Sequence, residues 1–449
     1  MFKSRLKNQP TEADHKQAPS LKQRALRGSV WTFTGYGTSQ ILRLGSNLLL
    51  TRLLFPEAFG LMALVQAFMI GLEMFSDVGI GPSIIQNKRG NDPAFLNTAW
   101  TLQVFRGLAL WICACLIAWP AARFYSEPML RQLLPVVGLT SLIAGLNSTK
   151  LATSNRQMML GRLTLIELGT QVLSLTVMIV GAWMYRSVWA LVVGGIVGAL
   201  AKMILSHIAF EGEKNRFHWE REAFKELHRF GRWIFFSTAL GFIASQGDRL
   251  IIGRLMDVRF LGVYTVALTL SLLPSEVIRQ SAGRVLFPSY AELIRDRPER
   301  LYRILRKSRL IMLALSWSGS LVLIVFGEKL IGLLYDGRYA DAGWMLQILT
   351  IGTLGNILGL SYDGILLATG KTFTLSIILA TQICVKVAAM FLGAYWGGQH
   401  GVIISLACVS WIVYPVEAIC FARLSLWQPE VDLPLIALAS VVAAIFYLN

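Results

Sequence analysis

Blocks of apolar residues, each about as long as a bilayer is thick, recur along the whole chain and constrain its fold more than anything else in it. A helix of about 20 residues crosses roughly 30 Å of hydrocarbon. Such blocks lie at approximately 29–50, 58–85, 95–119, 131–153, 162–184, 188–210, 231–254, 260–283, 308–330, 343–368, 373–396 and 401–422. A shorter apolar piece follows at 433–448. Charged residues make up only 15% of the 449, against about 25% in soluble domains. No series of short alternating segments suggests a membrane barrel. The reading is an all-α polytopic membrane protein with twelve spanning helices and a short candidate thirteenth.

The net charge of +16 could point to nucleic acid, but its placement points to topology. The segment Met1–Gly28 is polar and basic and has neither a short apolar h-region nor a small-residue cleavage site, so it reads as a tail rather than a signal peptide. With that tail inside, roughly 28 Lys and Arg fall on the inner side and roughly nine on the outer side. This is the positive-inside pattern, which places the N-terminus in the cytoplasm. No nucleic-acid partner is required. The expected organisation is a cytoplasmic tail (1–28), an N-lobe of six helices (29–210), a charged cytoplasmic linker (211–230), a C-lobe of six helices (231–426) and the extra apolar segment (427–449). Within "RDRPERLYRILRKSR", Arg300, Arg303, Arg306 and Arg309 recur every third residue, which predicts an amphipathic helix at the inner interface.

The chain also repeats itself. "GSNLLLTRLLFPEAFG" (45–60) aligns without a gap with "GDRLIIGRLMDVRFLG" (247–262), sharing Gly45/Gly247, Leu48/Leu250, Arg52/Arg254, Leu53/Leu255 and Gly60/Gly262. Six helices separate the copies, an even number, so both lie at the same face. That implies two parallel six-helix lobes around a central cavity, the architecture of transporters that rock one repeat against the other. A weaker echo joins "LNSTKLATSNR" to "LSYDGILLATGK", each at the inner end of the fourth helix of its lobe.

The phrases "TRLLFPEAFGLMAL", "FSDVGIGPSIIQ", "GDRLIIGRL", "FLGVYTVALTLSLLP", "VLFPSYAEL" and "LYDGRYADAGWMLQIL", in this order and spacing, resemble the polysaccharide-transporter (oligosaccharide flippase) branch of the multidrug/oligosaccharidyl-lipid/polysaccharide exporter superfamily. The likeness covers about residues 25 to 425. The resemblance implies a non-enzymatic protein of the bacterial inner membrane. It would flip undecaprenyl-pyrophosphate-linked oligosaccharide units to the outer leaflet, with a glycan polymerase and other polysaccharide assembly proteins as candidate partners. Many members have fourteen helices, so the short thirteenth segment is a departure.

A cavity between lobes requires polar stripes at helical spacing. Such stripes are Tyr36, Gln40, Arg43 and Asn47 in the first helix, Gln66, Glu73 and Asp77 in the second, and Thr164, Glu167, Gln171 and Ser174 in the fifth. Others are Thr265, Thr269, Glu276 and Arg279 in the eighth, Gln382 and Lys386 in the eleventh, and Ser410, Tyr414 and Glu417 in the twelfth. A charge at mid-bilayer costs at least about 2.5–3.5 kcal/mol and is a functional candidate by default. Arg43, Arg106 and Lys386 are therefore expected to line a cationic cavity suited to a pyrophosphate, with Gln40 and Asn47 beside them. Asp77, Asp248, Glu276 and Asp363 are candidates for ion coupling, or for pairing with Arg249, Arg279 or Lys371. Arg52 and Arg254, at outer helix ends, read as interfacial anchors or turn-fixing residues. Pro274 should bend the eighth helix.

No cofactor or metal is expected. The five cysteines lie inside apolar segments without metal spacing, the histidines are scattered, and "GILLATGKT" has five residues rather than four between its glycines. The alternatives to a flippase are a small-molecule or drug exporter of the same superfamily and a membrane glycan polymerase or ligase. Cations in both lobes disfavour an exporter of cationic drugs. Short outer loops disfavour a polymerase or ligase.

Overall fold

The computed structural model describes residues 21–448 apart from Val78, Glu213, Arg232, Trp233, 282–285 and Arg297. Most of the basic tail (1–20) therefore lies outside the described residues. The chain runs through α1 (Leu21–Leu53), α2 (Pro56–Phe75), α3 (Ile80–Gln86), α4 (Pro93–Tyr125), α5 (Leu130–Gly145), α6 (Lys150–Arg156), α7 (Leu160–Tyr185) and α8 (Trp189–Ile208). A linker carrying α9 (Arg221–Gly231) leads to α10 (Ile234–Leu255), α11 (Val258–Ser271), α12 (Leu273–Ser281) and α13 (Phe287–Asp296). The helices α14 (Leu301–Leu334), α15 (Ala342–Leu360), α16 (Asp363–Ala368), α17 (Thr372–Arg423) and α18 (Pro429–Leu448) follow. No strand occurs among the described residues.

Local chemistry sets the helix starts. Pro56 and Pro93 occupy first-turn positions where no amide donor is needed. Asp92 accepts the Ala94 amide and Asp257 the Phe260 amide, satisfying donors that the helix leaves free. Among the described residues, seven helices are long and apolar enough to cross a bilayer, or eight if the α5–α6 pair, bent by 57°, is one span. The 52 residues of α17 would stretch about 78 Å if straight, far beyond one crossing. The chain instead reverses at Gly398 (φ 54°, ψ −130°), a conformation open to glycine, and Gly393 and Gly401 then meet backbone to backbone. This long run therefore supplies the eleventh and twelfth crossings.

Several spans expected to be continuous are broken. The segment 58–85 divides at 76–79, 131–153 divides between α5 and α6, and 260–283 divides at Leu272. The last break comes just ahead of Pro274, whose ring cannot donate to the preceding turn. The short helices α6 and α16 sit in the two weakly echoing phrases.

The repeat has a direct structural consequence. A Cβ on Gly60 would fall on the carbonyl of Val258, and one on Gly262 on the carbonyl of Pro56. Val258 aligns with Pro56 and Gly262 with Gly60, so the two copies make one reciprocal contact where α2 crosses α11. An apolar core at this end, the repeat face, includes Leu61, Leu64, Val65, Leu261, Tyr264, Tyr339 and Leu346 and spans both lobes. Toward the opposite, basic face the core divides. Ile80, Ile84, Phe95, Ala99, Ala223 and Leu227 form one cluster, and Tyr290, Leu305, Tyr362, Ile365, Leu366 and Phe421 another. The core is thus common to both lobes at the repeat face and divides toward the basic face, where α2 still meets α10 through Gly71 and Phe75 against Phe242.

The linker is fastened to the first lobe. The amides of Arg216, His218 and Glu220 donate to side-chain oxygens of Asn97, Thr101 and Thr98 on α4. Ala223 and Leu227 of α9 are fully buried. Arg89 binds Asp92 and Glu220 at 2.5 and 2.7 Å, and its hydrogen bond holds the Asp92 carboxyl below the usual carboxylate range. That contribution is complete above the ordinary pKa of 3.8 and is lost as pH falls through the lowered value.

The expected amphipathic helix at the inner interface is corrected. From Leu301 the chain is already part of the 34-residue α14, and Arg309 is fully buried. Its guanidinium donates to Asp432 at 2.6 Å, Ser361 at 2.9 Å and Gln428 at 3.1 Å, and stacks 3.6 Å over Tyr362. Tyr362 and Tyr414 donate to the other oxygen of Asp432. Asp432 belongs to α18, so the candidate thirteenth helix is tied into the second lobe by a buried ion pair. Removing one partner of such a pair costs about 3–5 kcal/mol, whereas replacing both by apolar groups can be neutral or stabilising. Asp432→Ala is therefore expected to lower the melting temperature strongly. The double variant Arg309→Met/Asp432→Leu should recover much of the loss, measured by thermal unfolding in detergent.

Candidate functional site

The first-helix stripe lies between the lobes. The Tyr36 hydroxyl donates to Glu276 of α12 at 3.2 Å, and Gln40 donates to Tyr36 at 2.9 Å. Near the repeat face, the Tyr335 hydroxyl at the end of α14 donates to Asn47 at 3.3 Å. Both ends of the stripe thus reach across to the second lobe. Arg43 lies three residues after Gln40 and four before Asn47, on the same helix face. It is exposed, and among the described residues its guanidinium has no hydrogen-bond or ion-pair partner. Charged side chains within spans face the bundle interior or a water-filled cavity, which the dividing core provides here.

The other two expected cations are engaged. Arg106 donates to the Ser76 hydroxyl at 3.0 Å and the Glu73 carbonyl at 2.9 Å. It covers the C-terminal carbonyls where α2 breaks, a favourable place for positive charge. It also lines a cavity of ≈ 290 Å³ with Glu73, Asp77, Gln103 and Ser141. Lys386 contacts Asp248 and the Ala244 carbonyl, each at 3.1 Å, and the Tyr264 hydroxyl donates to Asp248 at 2.5 Å. Lys386 is 20% exposed and Asp248 4%. Pairing of Asp248 with Arg249 is therefore corrected to pairing with Lys386, and Lys386 is a neutralised cation rather than a free one.

The remaining acidic candidates are dispersed. Asp77 accepts the Gly79 amide at 2.9 Å and closes the turn in the broken second span. Glu276 joins the cleft and pairs with Arg279 at 3.3 Å. Asp363 begins α16. Two further stripes turn inward: Gln171 bonds Ser39, and Ser410 and Tyr414 bond Gly352 and Asp432. These residues fasten helices to each other, while Glu167 of the same fifth-helix stripe is exposed.

In the sequence Arg309 reads as interfacial and Asp432 carries no assigned role, because both lie at the edges of apolar blocks, where a charge normally meets the interface. The signal was their opposite sign on two segments whose helices extend past the blocks. Arg52 and Arg254 act locally. Arg52 donates to the Leu334 carbonyl at 3.4 Å and its own carbonyl accepts from Arg338 at 2.9 Å, while Arg254 stacks 5.2 Å over Phe124. Together with the Tyr339 hydroxyl on the Leu54 carbonyl at 3.3 Å, these contacts seal the repeat face.

The sequence profile of a family described as "Polysaccharide biosynthesis protein" matches residues 49–343. Among curated proteins, the lipopolysaccharide biosynthesis protein WzxC of Escherichia coli (strain K12) is 21% identical over 426 residues, 91% of this chain and 85% of that protein. The fold is similar to that of the lipid II flippase MurJ in an inward closed conformation, with TM-score 0.68, 14% identity and coverage of 94% of this chain and 93% of that one. It is equally similar, at TM-score 0.68 and 14% identity, to an inward-facing multidrug resistance MATE family transporter of the MOP superfamily, over 86% of this chain and 94% of that one. The two lobes of helices expected from the repeat are thus the fold of this chain.

If the crossing of α2 and α11 holds the repeat face shut, a single methyl there should be costly. Gly60→Ala and Gly262→Ala are expected to lower thermal stability, although alanine normally favours a helix by about 1 kcal/mol. Gly37→Ala, at an open helical position of α1, should leave stability unchanged or raise it. Equal behaviour of the three variants in detergent melting would exclude the tight crossing.

Proposed function

From the premise that the chain belongs to the family of polysaccharide biosynthesis proteins, we propose that it flips a lipid-linked oligosaccharide, carried on undecaprenyl pyrophosphate, across a bacterial inner membrane by alternating access. The basic face is cytoplasmic in this reading, by the excess of Lys and Arg there. The cleft opens toward that face and is closed at the repeat face. The proposed organisation keeps the two lobes and the linker at 211–230, with α18 serving as a strut of the second lobe.

The observation that carries the reading is Arg43. It is an exposed guanidinium in the inter-lobe stripe with no partner among the described residues, flanked by Gln40 and Asn47. A guanidinium fork suits phosphate oxygens, and the amides beside it suit sugar hydroxyls. Arg106 shares its cavity with Glu73 and Asp77, so its charge is offset there, and it holds the broken second span. Lys386 and Asp248 form a neutral pair, with 20% of the lysine side chain exposed, and the pair borders the cleft without offering a free charge. A substrate-loaded cleft would replace the Tyr36–Glu276 and Asn47–Tyr335 bridges with contacts of its own. Closing the lobes at the basic face then requires the α2–α11 crossing to part.

A charge-assisted hydrogen bond contributes about 1.5–3 kcal/mol, so losing Arg43 should weaken substrate binding by about tenfold or more. Arg43→Ala is expected to reduce glycan export and leave lipid-linked intermediate in the cytoplasmic leaflet, with Arg43→Lys retaining part of the activity. The measurement is surface glycan together with extracted lipid-linked intermediate, at matched membrane levels of the protein. Unimpaired export by Arg43→Ala would sink this assignment.

A further inference from the structure

We propose that the linker between the lobes is a membrane-reading strap: residues Lys214–Arg221 form an aromatic and cationic surface that docks on anionic phospholipid headgroups at the basic face. The strap is held at a defined depth. Its amides bind Asn97, Thr98 and Thr101 of α4, and these residues lie four to eight positions after Pro93, about 6–12 Å along the helix. The 33 residues of α4 span about 50 Å, whereas the hydrocarbon is roughly 30 Å thick. About 10 Å at each end therefore lies in the headgroup region, and the strap is fixed at its boundary with the hydrocarbon.

The side chains suit that depth. Phe217 is 65% exposed and Trp219 52%, and each is braced from behind. Phe217 lies against buried Trp100 at 4.9 Å, and Trp219 against Phe224 at 4.9 Å. Exposed aromatic rings in water are unfavourable, but at the boundary of a bilayer Trp and other amphipathic aromatics are enriched. The charges are sorted as well. Glu220 and Glu226 face Arg89, and Glu222 is paired with Lys225 at 2.8 Å. Among the described residues Lys214, Arg216 and Arg221 are left exposed, with Glu211 an exposed acid at the start of the segment. The outward surface of the described residues 214–221 is therefore net positive although the linker as a whole is of mixed sign.

Each basic residue near an anionic surface strengthens attraction about fivefold, so three together give roughly a hundredfold. The strap is bonded to the first lobe while α10 begins the second at Ile234. Docking it would hold the first lobe against the headgroups as the second moves.

The test is hydrogen exchange on the full chain in nanodiscs of phosphatidylcholine alone or with phosphatidylglycerol added. Amides 214–221 are expected to exchange at least several-fold more slowly with the anionic lipid. The triple variant Lys214→Glu/Arg216→Glu/Arg221→Glu should abolish this gain. Phe217→Ser/Trp219→Ser should reduce protection in both lipids, and unchanged protection of α4 and α9 would confirm that either variant is folded. Equal exchange of the wild type in the two lipids would overturn the proposal, as would a lipid-dependent gain that survives the triple charge reversal. The readout involves no transport, so the result is independent of what the cleft carries.

Discussion

Everything in this molecule is arranged around the place where α2 and α11 cross. Two glycines without side chains let the backbones touch, and because Gly60 and Gly262 occupy equivalent positions in the two repeats, the contact is reciprocal. This crossing brings two similar lobes together at one end, and α2 continues along α10 beyond it. The apolar core on that side becomes common to both, while on the other side each lobe closes its own core. Small residues at crossings are how membrane helices approach closely when lipid already satisfies their apolar surfaces. A contact that depends on fit alone leaves no polar group buried and unpaired when it parts.

The charges inside the membrane fall into two kinds. Arg309 and Asp432 are fully buried and surrounded by donors and acceptors from Ser361, Gln428, Tyr362 and Tyr414. Their contribution is to position: they specify where α18 sits against α14 and α15. Arg43 is the opposite case. It lies in a stripe whose neighbours hydrogen-bond across the cleft, yet its own guanidinium stays exposed. Arg106 and Lys386 fall between these limits, since each satisfies a local need, a helix end or a carboxylate, while bordering open space.

Much of the architecture could be read from residue order. Apolar block length placed the spans, and the six-helix interval between the copies of the repeat placed both at the same face, because each crossing reverses direction. The α1 stripe was legible because Tyr36, Gln40, Arg43 and Asn47 follow helical spacing. The same spacing in α7 and in the second half of α17 described surfaces that fasten helices to one another. Periodicity identifies a face but not its neighbour. Arg309 was assigned to the interface for a related reason: an arginine at the edge of an apolar block looks alike whether it meets water or an aspartate 123 residues later.

The sequence by itself determined the class of the protein, the approximate spans, the parallel relation of its halves and the polar face of its first helix. These follow from properties that act along the chain: hydrophobic length, helical period and the alternation of sides. The tertiary structure alone decided which cations are spent and which remain available, that the twin glycines meet each other, and that the thirteenth helix is anchored by charge. Each of these depends on which atoms come within a few ångströms across distant segments. Electrostatic and packing energies fall off over that range, so they are set by proximity in space and not by separation in sequence.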